Sequence, residues 1–375
     1  MDAELEMFAD SAAAFFRREC PPERVARWRE AGQVDREVWR AAGEAGLLGV
    51  SIAAEHGGGG GDFRHDVVLF REQAKAGVEG LALSLHNGIV VPYIAAHGTE
   101  EQKARWLPTL CSGELVSAIA MSEPGAGSDL QSIRTTAVRD GNGYRLNGAK
   151  TFISNGQLAE LIVVVAKTDA SQGARGTSLL VLETEGADGF RRGGKLDKIG
   201  NEAQDTSELF FDEVFIPADH LLGGEEGRGF FQLMAELPRE RLVIAAQATE
   251  TMERAIATTL EYVRGRKAFG QALADFQNTQ FVLADCKAKA TVARAFVDGC
   301  VARVLDGSLD NPTAAIAKLH ATEACWAVVD ACLQLHGGYG YVNDYPIARL
   351  WRNARVERIY GGSSEIMKLV IARSL

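Results

Sequence analysis

Apolar residues recur at three- and four-residue intervals near the start of the chain, where Phe8, Ala12, Phe15 and Phe16 mark one helical face. The same spacing, almost without strand signals, continues to about Ser117 and predicts an α-helical domain over residues 1–117. Five consecutive glycines, Gly57 to Gly61, interrupt it and predict a surface turn, since such a run cannot hold regular structure. From about Leu115 the pattern changes to short β-type runs: Val163 to Val165, Ser178 to Leu182 and Glu208 to Phe211. Asp140, Gly141, Asn142 and Gly143, set between Thr135–Arg139 and Tyr144–Leu146, read as a hairpin and favour antiparallel pairing. A strand-rich domain over 118–226 follows. After Gly229 the helical period returns: Ile244, Ala248, Met252, Ile256, Leu260 and Val263 form one stripe. Ile316, Leu319, Trp326, Val329 and Leu333 form another, with Asn311 before Pro312 as its start, giving a helical bundle over 227–375. The order α, β, α lacks the strand–helix alternation that a parallel nucleotide-binding sheet requires.

Composition narrows the classes. The 375 residues are 46% hydrophobic and 24% charged, which is ordinary for a folded protein and far from disordered or repetitive chains. A net charge of -10 repels a polyphosphate backbone, so nucleic acid is not an expected partner. None of the six cysteines lie two residues apart and the seven histidines show no ligand spacing, so neither a disulfide framework nor a metal site is expected. The opening MDAELEMFAD carries no basic n-region, and no apolar run reaches the length of a membrane span. The expectation is a cytoplasmic, bacterial protein.

Three fragments imitate catalytic signatures and fail. Gly189, Gly194 and Lys195 fit a phosphate loop, but Leu196 stands where a Ser or Thr must hold magnesium. Gly125 and Gly127 begin a dinucleotide fingerprint that lacks its third glycine at Leu130. The glycines after His56 suggest an oxyanion loop, but no GxSxG elbow accompanies them.

Four separated segments agree with one another. AMSEPGAGSD, Ala120 to Asp129, is a strand running into a glycine-lined turn whose N–H groups and hydroxyls can bond a ring edge or a phosphate. NGAKTFISNG spans Asn147 to Gly156, and RGRKAFGQALADFQ spans Arg264 to Gln277. The fourth extends from Gln334 through LHGGYGY to Tyr360 and GGSSEIM. Each alone could be a turn, a strand or a solvated basic cluster. In this order, over almost the whole chain, they resemble the acyl-coenzyme A dehydrogenase family, most of all its long-chain branch with the isovaleryl branch next.

The resemblance implies a multidomain α+β fold: an N-terminal helical domain, a middle antiparallel β-barrel or sandwich, and a C-terminal four-helix bundle. It implies FAD as cofactor, contacted through Met121, Ser122, Gly127, Ser128, Phe152, Ile153 and Ser154. Arg266, Phe269 and Gln277 would reach the FAD of a neighbouring subunit, where an Arg fork suits a pyrophosphate. Gln334, Leu335, Gly337, Gly338, Ser363 and Glu365 match further dinucleotide contacts. An acyl-CoA substrate would meet Ser128, Phe231, Pro238, Arg241, Tyr360, Gly361 and Gly362.

The implied reaction takes a proton from the α-carbon of an acyl thioester and a hydride from the β-carbon. In many family members the base is a Glu directly after the tyrosine of the last motif. Here Tyr360 is followed by Gly361, which cannot abstract a proton. The long-chain and isovaleryl branches carry the base on the helix that opens the C-terminal domain, and Glu240 in ELPRER resembles it. The absence at Gly361 and the presence at Glu240 are complementary, although a Glu flanked by Arg239 and Arg241 could also serve only as an ion-pair partner. Glu236, four residues earlier, is expected to push the Glu240 pKa up by like charge, and Pro238 to kink the helix. The resemblance also implies a homotetramer, built as a dimer of dimers, and electron-transferring flavoprotein as acceptor. An oxygen-using oxidase or monooxygenase, and a non-catalytic acyl-CoA-binding flavoprotein, are the alternatives.

Overall fold

The computed structural model describes residues 3–375, which divide into two compact units. The first takes in the chain up to Leu69, Val78–Lys198 and Glu202–Leu237; the second takes in Phe70–Gly77, Ile199–Asn201 and Pro238–Leu375.

Helices α1 (Ala3–Glu19), α2 (Pro22–Ala31), α3 (Arg36–Glu44), α4 (Phe63–Ala76), α5 (Leu83–Leu85), α6 (Val91–His97) and α7 (Glu100–Cys111) open the chain. The predicted apolar stripe is the buried face of α1, which carries Leu5, Ala9, Ala12, Phe15 and Phe16. A capping box starts α7: Thr99 Oγ1 accepts the Gln102 N–H at 3.3 Å while Gln102 Oε1 accepts the Thr99 N–H at 3.0 Å. The glycine run is exposed in part but docked, because the N–H groups of Gly59, Gly60 and Gly61 donate to the carbonyls of Gly49, Ile52 and Val50. A Cβ at Gly58 would lie 2.3 Å from the Ile52 carbonyl oxygen, so glycine is required there by close approach.

Strands β1 (Ser117–Ala120), β2 (Thr136–Asp140), β3 (Gly143–Ser154), β4 (Leu161–Lys167), β5 (Thr177–Glu183), β6 (Phe190–Lys195) and β7 (Thr206–Pro217) form one seven-stranded sheet. Its order is β1-β4-β2-β3-β7-β6, with β5 on β4. The predicted hairpin is present between β2 and β3, and antiparallel pairing dominates. The exception is β1, which pairs β4 in parallel, with one further parallel bridge from β2 to β4. Strand β4 is buried on both faces: Leu161, Val163 and Val165 join the core shared with α6 and α7, while Ile162, Val164 and Ala166 join the core against β3 and β7. That explains its uninterrupted apolar run. Gly189 to Lys195 lie in and next to β6, a strand and not a phosphate loop.

Helix α8 (Gly229–Gly265) runs through Pro238 without interruption. A short ribbon of β8 (Lys267–Ala268) and β9 (Gln271–Ala272) leads to α9 (Gln277–Leu305), α10 (Asn311–Leu335), α11 (Pro346–Ala354) and α12 (Ser364–Ala372). Asp310, one residue before the predicted start, caps α10 by accepting the Thr313 N–H at 2.7 Å. Of the large-residue stripe expected on α10, Val329 is buried and Leu319, Trp326 and Leu333 are half-buried, and the expectation is corrected at Ile316. Ile316 is 40% exposed, and the buried face is made of Ala314, Ala317, Ala321, Cys325, Val328 and Cys332. Small side chains let α9, α11 and α12 approach a central helix closely. All six cysteines are buried as free thiols, and among the described residues no helix is long and apolar enough to cross a membrane.

Candidate active site

In the first unit, β1 ends in the loop that carries Met121, Ser122, Gly127 and Ser128, and a buried ion pair holds that loop. Lys150, fully buried on β3, donates to Glu123 Oε1 at 2.9 Å and to the Met121 carbonyl at 2.9 Å. Glu123 also accepts the Arg134 N–H at 2.6 Å and the Thr135 N–H at 3.0 Å, closing both ends of the loop onto one carboxylate. Burial pushes Glu123 up, but hydrogen bonding from Thr135, the Lys150 charge and the Arg134 N–H leave it below the usual carboxylate range. A Cβ at Gly125 or Gly127 would meet nothing within 4 Å, so this stretch presents open backbone. A cleft of about 350 Å³ lies beside it, lined by Glu123, Pro124, Gly125, Ser132, Arg134 and the neighbouring strand.

On β3, Phe152 has φ 60° and is 69% exposed, a left-handed conformation unusual for an aromatic residue. The register shift against β7 between Lys150 and Ile153 accommodates it. Ile153 is 2% exposed in the sheet core, so its side chain is unavailable to a ligand and only its backbone can serve. Ser154 closes the strand. Phe231, near the start of α8, is exposed with the Arg228 guanidinium 5.3 Å from its ring centroid. Glu236 is bonded to His97 Nε2 at 3.1 Å.

In the second unit, Glu240 and Arg241 are both buried on α8. Arg241 turns its Nη1 to Asn311, and burial pushes its pKa down against the charge of Glu240. Gly361 and Gly362 have φ 62° and 91°, so the turn after Tyr360 is left-handed at both positions. A Cβ built on Gly361 would lie 2.3 Å from Ile244 Cδ1. Ile244 is four residues after Glu240 and therefore on the same helical face. That face of α8 occupies the space a side chain at position 361 would need.

A separate groove of about 560 Å³ in this unit brings Arg266 together with Gln334, Leu335, Gly337 and Gly338. Tyr262 and His336 stack across its floor at 4.3 Å, and Arg266 lies 5.4 Å from the Tyr339 ring centroid. His336 Nε2 is buried there without a hydrogen-bond partner, and a Cβ at Gly337 or Gly338 would meet nothing. An open backbone, a cation and an unsatisfied polar atom fit the phosphate-bearing half of a dinucleotide. Phe269, 96% exposed on the β8–β9 turn, and Gln277, the first residue of α9, are outside the groove lining. So are Ser363, whose Oγ caps α12, and Glu365.

Sequence reasoning missed Glu123, Lys150, Lys318 and Glu357. The last two are buried on α10 and just before Tyr360, where burial pushes Glu357 up to about 8 and Lys318 down to about 8. The first pair sits inside quoted motifs, but charge on a residue carries no signal that the residue is buried.

Three family models cover the chain: acyl-CoA dehydrogenase N-terminal domain over residues 2–114, middle domain over 118–214 and C-terminal domain over 227–375. The chain belongs to the acyl-CoA dehydrogenase family. Among members of that family, the mitochondrial long-chain specific acyl-CoA dehydrogenase of Mus musculus is 48% identical over 375 residues, covering 100% of this chain and 86% of the relative. The mitochondrial isovaleryl-CoA dehydrogenase of Solanum tuberosum is 36% identical, covering 100% and 91%. The crystal structure of an acyl-CoA dehydrogenase from Geobacillus kaustophilus matches with a TM-score of 0.97 at 45% identity, covering 100% of this chain and 98% of that one. The three-part helix, sheet and helix architecture of acyl-CoA dehydrogenases is therefore that of this chain.

Proposed function

We propose that this chain catalyses the FAD-dependent α,β-dehydrogenation of an acyl-CoA thioester to the trans-2-enoyl-CoA, with Glu240 as the base that takes the α-proton. The observation that carries the assignment of the base is the packing of Ile244 into the side-chain space of Gly361. The face of α8 that bears Glu240 fills the position where other family members place their carboxylate. With a buried carboxylate one turn away, the glycine at 361 no longer argues for a non-catalytic binder.

FAD supplies the acceptor for the β-hydride when bound. The chain's own contribution is binding, orientation and proton transfer. Met121, Ser122, Gly127, Ser128, Phe152, the Ile153 backbone and Ser154 would hold the ring end. Gln334, Leu335, Gly337, Gly338, Ser363 and Glu365 would contact the dinucleotide, and Arg266, Phe269 and Gln277 would reach the FAD of a neighbouring subunit. Ser128, Phe231, Pro238, Arg241, Tyr360 and Gly362 would contact the substrate. Glu240 takes the α-proton on a carboxylate oxygen. The Gly361 N–H donates to the thioester oxygen, where negative charge develops as that proton leaves. The higher identity to the long-chain relatives than to the isovaleryl ones favours a long acyl chain. Domain boundaries at 117/118 and 226/227, a homotetramer, a cytoplasmic location and electron-transferring flavoprotein as acceptor belong to the same proposal.

The test is an anaerobic titration of the flavoprotein with short, branched and long acyl-CoA, repeated with Glu240→Gln. Long-chain substrate should bleach the flavin absorbance of the parent, whereas Glu240→Gln should keep its FAD and turn over about 10³-fold more slowly. Normal turnover in Glu240→Gln with FAD bound would reject the assignment.

A further inference from the structure

The segment that carries Tyr360, Gly361 and Gly362 is tied to α10 at three points. Lys318 Nζ donates to the Gly362 carbonyl at 2.7 Å. Five residues along the same helix, Glu323 accepts from Arg358 Nε at 2.9 Å and from Ser364 Oγ at 2.5 Å. The Arg358–Glu323 pair is partly exposed, and such pairs contribute little. Lys318 differs in being completely buried. An ammonium group taken out of water is costly unless it is bonded and balanced by charge. The acidic group that attracts it most is Glu357, 7% exposed, which burial pushes towards its neutral form, which hydrogen-bonds the buried thiol of Cys325 and which keeps Oε2 without a partner. Glu323 and Glu365 add weaker attraction and Arg241 opposes it. A chain needing only an apolar core here would do as well with Met or Leu at 318, since α10 otherwise buries Ala, Val, Thr and Cys.

Among the described residues, Lys318 gives its hydrogen bond to the carbonyl of the second left-handed glycine. That bond fixes the peptide between Gly362 and Ser363, and so one end of a turn where two successive glycines would otherwise leave the backbone free to reorient. We propose that Lys318 is a positioning residue: by holding the Gly362 carbonyl it anchors the far end of the two-glycine turn, limits how that turn can reorient, and so keeps the Gly361 N–H aligned as the donor that meets the thioester oxygen. This inference rests on the proposed function, because it takes Gly361 as the donor. A hydrogen-bond donor displaced from the developing charge loses most of its value while substrate affinity is largely kept.

The experiment compares Lys318→Met, Glu357→Gln and the double variant Lys318→Met/Glu357→Gln in the FAD-loaded protein, using the acyl-CoA that turns over best. The double variant removes both ionisable groups together and keeps the comparison readable if Lys318→Met alone fails to fold. In every folded variant that lacks Lys318, kcat should fall about 10-fold or more, with KM changed by less than about 3-fold. Amide hydrogen exchange across residues 359–363, followed also without FAD, should be faster in those same variants, and Glu357→Gln alone should leave both readouts near the parent. Recovery of kcat and of exchange protection in the double variant would overturn the proposal, because Lys318 would then only neutralise Glu357. So would an unchanged kcat in folded Lys318→Met. If instead Glu240→Gln retained turnover, the proposed base would fail, while the exchange result would still report separately on whether Lys318 holds the turn.

Discussion

Ile244 occupies the space that a side chain at Gly361 would fill, with its Cδ1 2.3 Å from where that Cβ would stand. The two residues therefore exclude one another's enlargement. Gly361→Ala should destabilise the protein by about 1–3 kcal/mol, combining the φ of 62° with the steric overlap. Ile244→Ala in the same chain should relieve the overlap and leave the backbone term, so chemical denaturation should show the two changes to be non-additive. Strict additivity would mean that the side chains do not compete for this space.

The Lys150–Glu123 pair should matter more for the loop than any surface ion pair. Lys150→Met leaves a buried carboxylate without its counter-charge, and a loss of about 3–5 kcal/mol is expected. Its milder counterpart, Glu123→Gln, keeps an acceptor for the N–H of Arg134 or Thr135. Both should release FAD more readily, as measured by flavin fluorescence on dilution. Because Glu123 is held below its unfolded pKa, its stabilisation is complete above the ordinary Glu range and disappears as pH falls through its lowered folded value. A Glu123→Gln protein with the parent's acid unfolding profile would contradict this.

Phe152 combines a left-handed backbone with an exposed ring. Such strain is retained where a ligand uses it. Phe152→Gly should raise the unfolding free energy by up to about 1 kcal/mol while weakening FAD binding. Thermal unfolding of the apoprotein and FAD titration measure the two sides, and tighter FAD binding would be the wrong sign.

Glu357 gives the opposite pH dependence. Burial raises it from 4.5 to about 8, so the folded state binds a proton that the unfolded state releases between those values. Its stability contribution is fully present below pH 4.5 and is lost as pH rises towards 8. Glu357→Gln should flatten the fall in stability over this range, where one proton contributes up to about 1.4 kcal/mol per pH unit. Identical slopes for parent and variant would show that Glu357 is not protonated on folding.

The helices and strands were legible because their signals are local. The stripe in α1, the hairpin at Asp140–Gly143 and the two-sided apolar run of β4 are all written in consecutive residues. Burial of α10 was misread because size stood in for depth: Ile316 is large and exposed, whereas Ala321 and Cys325 are small and central. Helical spacing names the neighbours of Glu236 on the helix but not its partner His97, 139 residues away in sequence. Arg266 and Gln334–Gly338 were found as separate motifs, and only the fold shows that they line one groove. The pairing of a glutamate at 240 with a glycine at 361 was visible in the sequence, but Ile244, which fills the side-chain space of Gly361, reads there only as part of an apolar stripe.

The six buried thiols have a practical meaning. Burial raises Cys20, Cys111, Cys300 and Cys325 above their ordinary range. The hydrogen bond between Cys286 and Cys332, together with burial, raises Cys332, while the same bond lowers Cys286, so five of the six are kept protonated and unreactive in the native state. A soluble alkylating reagent can reach them only when the surrounding helices and sheet open. Cys20 and Cys111 belong to the first unit and the other four to the second, so the order in which the six become labelled would time the opening of each unit. The chain thus carries its own clocks for local unfolding, with no probe to be engineered.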